Sequence, residues 1–401
     1  MSDKRWTASQ GSAPGADPFG ELCRKVLLLV AEDRLALSNY RTLIGFLKEI
    51  ALSVVVATRS SGRLAEIEEL GVRVIDFDQS PPSLNPVREV SSAWAIGRVL
   101  EAEDPDVVHL VGLEPVILGG LASKLVPSRY VVVQMPGLAA NEAADGNLPR
   151  LYHAGALRLM ASMLRRPESC LLVENADDLT LLRSRGIDPG GRFAVLGGAG
   201  IDPQGFPALP APNNATPVAA FVGQMVARNG IDILMRAGEH LAKRGSPLRL
   251  ELCGAVDHES REEIAADVLA DWCTAHGARW PGHVAEVCEV WSRVDICVLP
   301  ARTGGGVPRA LLEAAACARP LVVTDVPGCR HFVRDGVEGL IVRREDPDAL
   351  AAALDLLARD PEMRQRMGEA ARLRLLHGFT ETHVRQSLRA AYASMLGKRS
   401  A

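Results

Sequence analysis

The chain has 401 residues, of which 47% are hydrophobic and 23% charged, and its formal net charge is -4. This length suits two domains better than one core, and the composition is that of an ordinary globular protein. A weakly acidic chain gives no reason to expect a nucleic-acid partner. The eight cysteines include no C-x-x-C pair, and several lie in apolar runs, so we expect reduced core residues in a cytoplasmic protein.

The first 21 residues are polar and rich in Gly, Pro and Ala, which predicts a disordered tail and no signal peptide. No apolar run reaches the roughly 18 residues that a membrane-spanning helix needs. We expect a cytoplasmic protein, and peripheral contact with the inner face of the membrane stays open. Four arginines would suit such a contact, although a solvated helix face is the simpler explanation: Arg150, Arg158, Arg165 and Arg166.

Strand-like apolar runs alternate with helical patterns through residues 22–202, which predicts a parallel α/β domain. The predicted strands are Lys25–Val30, Ser53–Thr58, Val72–Phe77, Asp106–Val111, Tyr130–Gln134 and Cys170–Glu174. The predicted helices are Leu43–Ile50, Ser91–Glu103 and Leu151–Leu164. The strands end in polar or glycine-bearing loops, as at the ligand-binding edge of a doubly wound sheet.

Residues 203–217 are rich in proline and lack periodicity, which predicts an interdomain linker. A second α/β series follows over residues 218–378. Its predicted strands are Val218–Val222, Leu248–Cys253, Asp295–Pro300, Leu321–Thr324 and Gly339–Val342. Its predicted helices are Gly230–Arg244, Arg261–His276, Pro308–Ala318, Pro347–Arg359 and Glu362–Leu376.

The C-terminal segment 379–401 contains one more predicted helix, Thr382–Leu396. Its apolar stripe would let it cross back to the first domain. The predicted fold class is therefore α/β, with two Rossmann-like parallel-sheet domains facing each other across a cleft.

The stretch 303–314, TGGGVPRALLEA, is the most informative part of the chain. It joins a predicted buried strand to an Ala/Leu-rich helix through Gly304, Gly305 and Gly306. Such a turn presents backbone N–H groups at the positive end of a helix dipole, which favours a bound phosphate over a plain flexible connection. Glu313, further into the helix, could accept hydrogen bonds from a sugar hydroxyl.

Three segments of the second half resemble the retaining, nucleotide-sugar-dependent glycosyltransferases of the GT-B fold, family four. They are Phe221–Gly223 followed by Gly230, Trp280–Val284 followed by Val294–Pro300, and Gly306–Ala314 continuing through Arg319–Gly328. The first half matches more weakly, through Pro105–His109, Glu174–Asp178 and Gly198–Asp202. These segments are similar to a subgroup that transfers sugars onto polyprenyl-diphosphate-linked acceptors in surface-polysaccharide assembly.

The resemblance implies a UDP- or GDP-linked sugar as the donor substrate, with no permanently bound cofactor and no metal. It implies that the nucleotide base lies near Gly282, His283 and Val284, and that Glu313 binds the ribose. The diphosphate would lie against the backbone of Gly223 and of the turn from Gly304 through Gly305 and Gly306 to Val307.

Three side chains that the family usually has at the donor are absent. The resemblance implies an arginine at 224, a lysine at 229 and, beside the donor sugar, a glutamate at 305, upstream of Glu313. This chain has Gln224, Asn229 and Gly305 instead. The lost cations would weaken diphosphate binding, since each charge-assisted hydrogen bond contributes about 1.5–3 kcal/mol. Arg228 could replace part of the lost charge. The residue that would act in place of the upstream glutamate is therefore unassigned.

Loops after the strands of the first domain should face the cleft and supply the acceptor site. The candidates are Tyr40, Arg41, Glu114 and Gly137. The related subgroup has a histidine in place of Tyr40 and a lysine in place of Glu114, so surface or packing roles are the simpler explanation for both. We expect His109 to be a hydrogen-bonded packing residue, and Asp177 and Asp178 to cap a helix.

The leading hypothesis is a glycosyltransferase, of hexosyltransferase type, that moves a sugar from a nucleotide donor to a glycan or polyprenyl-linked acceptor. The alternative is a catalytically inactive glycosyltransferase-like subunit that scaffolds or regulates an active partner glycosyltransferase. A third, weaker alternative is a module that binds and senses a nucleotide sugar. The missing cations favour the inactive subunit, while Glu313 and the glycine turn favour the enzyme.

Overall fold

The computed structural model describes residues 23–77, 86–138, 147–256 and 262–396. The predicted tail at 1–21 lies outside these ranges, and so does the side chain of Arg150. Two parallel sheets form, one in each half of the chain. The predicted α/β fold class with two Rossmann-like sheets is confirmed. Within the four described ranges, no helix is long and apolar enough to cross a membrane.

The N-terminal sheet has seven parallel strands in the order β3-β2-β1-β4-β5-β6-β7. They are β1 Lys25–Glu32, β2 Ser53–Arg59, β3 Arg73–Asp76, β4 Val107–Val111, β5 Tyr130–Met135, β6 Ser169–Val173 and β7 Phe193–Val195. The helices are α1 Asp33–Asn39, α2 Arg41–Ile50, α3 Leu64–Glu68, α4 Pro86–Glu103, α5 Leu113–Ala122, α6 Asn147–Leu164 and α7 Ala176–Ser184. The central strands are buried on both faces, so they form continuous apolar runs such as VVHLV.

The C-terminal sheet has six parallel strands in the order β10-β9-β8-β11-β12-β13. They are β8 Val218–Val222, β9 Arg249–Cys253, β10 Arg279–Gly282, β11 Ile296–Leu299, β12 Leu321–Thr324 and β13 Gly339–Val342. The helices are α8 Ile231–Lys243, α9 Ala266–His276, α10 Val287–Arg293, α11 Arg309–Ala316, α12 Pro327–Phe332, α13 Pro347–Arg359, α14 Pro361–Leu376 and α15 Glu381–Leu396.

Strand order reverses once in each sheet, between β1 and β4 in the first and between β8 and β11 in the second. Loops that leave the carboxyl ends of strands on either side of such a reversal diverge and leave a crevice, where ligands of this fold class bind. The loop after β8 and the glycine turn after β11 therefore flank one crevice. The segments after β1 and β4 flank its counterpart in the first domain.

Helix α15 packs on the N-terminal domain, where Leu388 and Tyr392 are buried in the same core cluster as α2. The Tyr392 ring meets Phe46 edge-to-face at a centroid distance of 5.5 Å. Its hydroxyl lies 2.8 Å from Nδ1 of His109, whose Nε2 lies 3.0 Å from Oε1 of Gln134. Burial lowers the pKa of His109 to about 3, so the ring is neutral. The prediction that His109 is a hydrogen-bonded packing residue is confirmed.

The sequence patterns miss several short or fully buried elements, namely α1, α3, α5, α10, α12, β7 and β10. Helix α5 shows the reason, because its sequence LEPVILGGLA is apolar on nearly all sides and has no amphipathic stripe. Three predicted helix starts are also wrong. Helix α4 begins at Pro86, a residue that suits a first helical turn, and α6 begins at Asn147, whereas α9 begins only at Ala266.

Candidate functional site

The loop after β8 forms one side of the C-terminal crevice. The N–H of Gly223 donates to the carbonyl oxygen of Cys253 at 2.9 Å, which ties the loop to β9. The short turn Ala227–Asn229 then leads to Gly230, whose φ of 75° lies in the left-handed region. A Cβ on Gly230 would overlap the carbonyl oxygen of Pro300. Glycine at this position therefore lets the two crevice loops touch.

The polar side chains of this loop contact the protein itself. Nδ2 of Asn229 donates to the carbonyl oxygen of Gln224 at 2.9 Å, which closes the loop on itself. Arg228 forms an ion pair with Glu262, with 3.4 Å between Nη1 and Oε2, and both side chains are about half exposed. The side chain of Gln224 is exposed. In this structure the charge of Arg228 is therefore directed at Glu262.

Arg302, just after β11, is a cation that the sequence patterns do not single out. Its guanidinium donates to Asp232 at 2.6 and 2.5 Å and to Glu345 at 2.6 Å. A further bond of 2.7 Å reaches the carbonyl oxygen of Ala227 in the loop after β8. The two carboxylates raise the pKa of Arg302 above its ordinary value. Arg302 therefore holds the two crevice loops together while its own charge is balanced.

The three glycines of the turn after β11 differ in what surrounds them. None of them has a positive φ, so space is the constraint at this turn. A Cβ on Gly304 would overlap the ring of Pro327, and a Cβ on Gly306 would overlap the carboxyl of Glu174. A Cβ on Gly305 would meet nothing within 4 Å. Gly304 and Gly306 are thus required by close approach, whereas residue 305 faces open space.

Glu174 follows β6 and reaches the turn from the N-terminal domain. Its carboxyl accepts a hydrogen bond from the backbone N–H of Val307. Burial raises the pKa of Glu174 to about 7, with help from the charge of Asp178 and against the effect of that N–H. The sequence suggested a turn with free N–H groups. That expectation is corrected, because a protein carboxyl already occupies one of them.

Glu313 is the fifth of the eight residues of α11 and is 6% exposed. Nε of Arg309 donates to Oε1 of Glu313 at 2.8 Å. Burial raises the pKa of Glu313, and Arg309 opposes this. Nη1 of Arg309 also donates to the carbonyl oxygen of Ser38 in α1 at 3.2 Å. The carboxyl is therefore held by an arginine that contacts both domains.

The residues predicted at the nucleotide base lie at the end of β10, which Gly282 closes, and directly after it. The N–H of Gly254 donates to the carbonyl oxygen of Gly282 at 2.8 Å, and Nε1 of Trp280 donates back to the carbonyl oxygen of Gly254 at 2.9 Å. These bonds fix the loop after β9 against β10. His283 is exposed and Val284 is half-buried. The strand that precedes them, β10, lies two strand spacings, or about 10 Å, from β8.

One acceptor-side candidate is buried in the first domain, and another lies at the boundary with the C-terminal domain. Tyr40 is buried near Glu174, and burial raises the pKa of its phenol well above the ordinary value. Gly137 is buried against the glycine turn, where a Cβ would overlap the Cα of Gly305. Its φ of 68° also favours glycine. Gly137 therefore faces the donor-side glycine turn, whereas Tyr40 packs in the core of the first domain.

The other two candidates make contacts within the first domain. Glu114 forms an ion pair with the buried guanidinium of Arg59. Arg41 is exposed, and its Nε donates to the carbonyl oxygen of Leu37 at 2.9 Å. The packing role preferred for Tyr40 and Glu114 from sequence thus agrees with their contacts.

The predicted cap of α7 is wrong. Asn175 is the N-cap, because its side chain accepts from the N–H of Asp178 at 2.8 Å and its backbone is extended, as a cap requires. Its Nδ2 also donates to the Asp178 carboxylate at 3.0 Å. Asp177 instead forms an ion pair with Arg330 of the other domain at 3.1 Å.

The structure therefore brings the loop after β8, the glycine turn and Glu313 to one crevice, with the residues after β10 further along the same sheet edge. Sequence analysis missed the roles of Glu174, Arg302 and Arg309. Glu174 is the last residue of a predicted strand and Arg302 comes two residues after another, so their position at a sheet edge was the available signal. For Arg309, the available signal was Glu313, which stands four residues later in the same helix.

Two glycosyltransferase family models match the chain, one in each half. A model described as "Glycosyl transferase 4-like domain" matches residues 49–197, and one described as "Glycosyl transferases group 1" matches residues 216–360. The first falls within the N-terminal sheet and its helices, and the second contains the crevice of the C-terminal sheet.

Individual relatives are distant. The chain is 20% identical to N,N'-diacetylbacillosaminyl-diphospho-undecaprenol alpha-1,3-N-acetylgalactosaminyltransferase from Campylobacter jejuni, over 76% of this chain and 82% of that protein. It is 25% identical to D-inositol 3-phosphate glycosyltransferase from Nocardia farcinica, over 68% of this chain but only 56% of that protein. The solved structure of Anabaena HepE with UDP and glucose has a TM-score of 0.75 at 16% identity, covering 92% of this chain and 100% of that one. Each half of the chain matches a glycosyltransferase model, and the two parallel sheets have the fold of the Anabaena structure. The chain therefore belongs to the GT-B glycosyltransferases.

Proposed function

We propose that this protein transfers a sugar, with retention at the anomeric carbon, from a UDP- or GDP-linked donor to a glycan or polyprenyl-linked acceptor. The proposal rests on one observation, namely the position of the matched family domain in the fold. The group 1 match contains both loops of the C-terminal crevice, and one of them, the glycine turn, contacts the N-terminal domain through Glu174 and Gly137. The Anabaena structure with UDP and glucose supports a nucleotide-sugar donor.

The donor would extend along the carboxyl edge of the C-terminal sheet. The base would lie near Gly282, His283 and Val284, and the ribose hydroxyls would donate to Glu313. Phosphate oxygens would accept from backbone N–H groups near Gly223 and in the glycine turn, which precedes the positive end of α11. Closure of the two domains would exclude water from the sugar as its bond to phosphate breaks.

The acceptor would enter from the N-terminal side, past the loops that carry Tyr40, Arg41, Glu114 and Gly137. The Campylobacter relative is named for an undecaprenol-linked acceptor, which supports a polyprenyl-linked substrate here. Such an acceptor would place the protein against the inner face of a membrane. Arg158 and Arg165 could take part in that contact, whereas Arg166 already donates to the carbonyl oxygen of Ser128 at 2.7 Å.

A second candidate function is an inactive subunit that supports a partner glycosyltransferase. The contacts of the crevice cations favour it, because Arg228 and Arg302 are directed at Glu262 and Asp232. A diphosphate would have to compete for these cations or depend on backbone N–H groups alone. The lack of a carboxyl at residue 305 also favours the inactive subunit.

Calorimetric titration with a panel of UDP- and GDP-sugars tests the donor site. We expect saturable binding to the wild type and a loss of about 10- to 100-fold in affinity in Glu313→Gln, the equivalent of one charge-assisted hydrogen bond. Glu338→Gln is the matched control. Glu338 is also a buried glutamate paired with an arginine four residues earlier, but it lies beside β13, at the far edge of the sheet.

Transfer of a labelled sugar to polyprenyl-diphosphate-linked glycans then separates the two functions. Turnover by the isolated protein would rule out the inactive subunit. The absence of binding across the whole panel, together with co-purification of a second glycosyltransferase, would instead support the scaffold and overturn the enzyme.

A further inference from the structure

The glycine turn has no acidic side chain of its own, yet a carboxyl lies against it. Residue 305, where the resemblance implies a glutamate, is a glycine with open space around its missing Cβ. Glu174 of the N-terminal domain approaches the same turn one residue later, at Gly306. The group that the sequence lacks is therefore present in space, and it comes from the other domain.

Three contacts make this approach part of the packing. Gly306 has no Cβ at the place where the Glu174 carboxyl lies. The N–H of Val307 donates to that carboxyl. The adjacent Asn175 donates through Nδ2 to the carbonyl oxygen of Gly305 at 3.5 Å. Two neighbouring side chains of the first domain thus contact successive peptide groups of the turn.

The surroundings of Glu174 bring the ionisation of its carboxyl close to neutral pH. The groups that face it are the Asp178 carboxylate and the Tyr40 phenol, and burial has the largest effect on its pKa, which is raised to about 7. The Asp178 carboxylate accepts a hydrogen bond from Asn175. The Tyr40 phenol stays neutral because burial raises its pKa. A carboxyl in this state can release one N–H and accept a hydrogen bond from a substrate hydroxyl.

We infer that Glu174 supplies, from across the crevice, the sugar-binding carboxyl that residue 305 lacks, and that it binds a hydroxyl of the donor sugar at the glycine turn. The inference rests on the proposed glycosyltransferase function. A carboxylate makes a charge-assisted bond to a hydroxyl, which is stronger than a neutral one. Because the carboxyl belongs to the first domain, the sugar is fully bound only when the domains are closed.

The test moves the carboxyl from one domain to the other. Glu174→Gln removes the charge and keeps the size of the side chain, and Gly305→Glu adds a carboxyl in open space. We expect Glu174→Gln to lower kcat/KM by about 10- to 100-fold. Its Kd for free UDP or GDP should stay unchanged, because the nucleotide lacks the sugar. The double variant should recover most of the lost activity.

The pH profile separates sugar binding from a purely structural role. In the wild type, kcat/KM should rise with pH through about 7 as Glu174 loses its proton. In the double variant the carboxyl at 305 is open to solvent, so the rise should move towards the ordinary glutamate value of about 4.3. Gly305→Ala in the Glu174→Gln background is the matched control, and it should recover nothing.

Gly306→Ala provides a second route, because its Cβ would displace the Glu174 carboxyl, and it should reproduce the loss of turnover. Thermal melting establishes that each variant is folded. The inference is overturned if Glu174→Gln transfers sugar at the wild-type rate, or if it binds the nucleotide sugar more tightly than the wild type does. In either case the glycosyltransferase function would stand. If the wild type binds neither nucleotides nor nucleotide sugars, the proposed function fails and this inference fails with it.

Discussion

Arg309 holds Glu313 from four residues earlier in α11, with 2.8 Å between its Nε and Oε1 of the carboxyl. The glutamate is almost completely buried, while the arginine is 41% exposed and also donates to the carbonyl oxygen of Ser38. Burial penalises the charged carboxyl, and the guanidinium compensates for part of that penalty. Arg309 therefore favours the charged form of a carboxyl whose burial favours the neutral form.

Arg309→Met should destabilise the protein more at high pH than at low pH. The folded pKa of Glu313 is already raised above 4.5 and would rise further without Arg309. A carboxyl with a raised folded pKa favours the folded state below its unfolded pKa, and this stability is lost as pH rises through the folded pKa. We expect a loss of about 1–2 kcal/mol at pH 8, and less at pH 4, in urea unfolding.

Arg309→Lys is the control for that experiment, because it keeps the charge near Glu313 but loses the planar guanidinium. Its loss should be smaller, with a weaker dependence on pH. If Arg309→Met and Arg309→Lys lose the same free energy of unfolding at every pH, then Arg309 contributes packing and not charge.

Gly230→Ala should be far more destabilising than Gly336→Ala. The φ angles of the two glycines are 75° and 74°, so both substitutions carry the strain of the left-handed region, about 1–2 kcal/mol. Only at Gly230 would the new Cβ overlap a backbone atom, the carbonyl oxygen of Pro300, whereas Gly336 faces open space. We expect roughly 3–5 kcal/mol for Gly230→Ala in urea unfolding. Similar losses at the two sites would contradict the close approach of the crevice loops.

The strands were predictable from sequence because parallel strands buried on both faces form short apolar runs. Val218–Val222 and Leu321–Thr324 match their predicted bounds. Helix α5 was not predictable, because burial on all sides removes the polar face that marks a helix. Strand β7 has only three residues, which is too short to show a period of two. Strand β10 contains Pro281, which makes its pattern irregular.

The crevice loops were also predictable, since strand ends near a reversal of strand order bind ligands in this fold class. Their contacts were not. The approach of Glu174 to Gly306 depends on how two domains pack, and no local pattern encodes it. The directions of Arg228 and Arg302 depend on carboxylates that lie elsewhere in the chain.

Tyr392→Phe should weaken the attachment of α15 to the first domain. The substitution keeps the aromatic contact with Phe46 but leaves Nδ1 of the buried His109 without its hydroxyl donor. An unsatisfied buried acceptor costs about 1–3 kcal/mol. Hydrogen exchange should speed up in Glu381–Leu396 before the sheet strands are affected. Unchanged protection of that helix would show that apolar packing alone holds it.

The ion pair between Asp177 and Arg330 crosses the domain boundary but should contribute little to closure. Both side chains are roughly half exposed, at 47% and 40%, and Arg330 also pairs with Asp325 at 2.6 Å, so it stays paired when Asp177 is removed. Exposed pairs contribute about 0.2–1 kcal/mol. A double-mutant cycle of Asp177→Asn and Arg330→Gln should give a coupling energy in that range, and about 1 M salt should abolish it. The radius of gyration from X-ray scattering should meanwhile stay constant, because the buried contacts of Glu174 and Gly137 with the glycine turn are insensitive to salt. A radius that increases with salt would show instead that surface charge holds the two domains together.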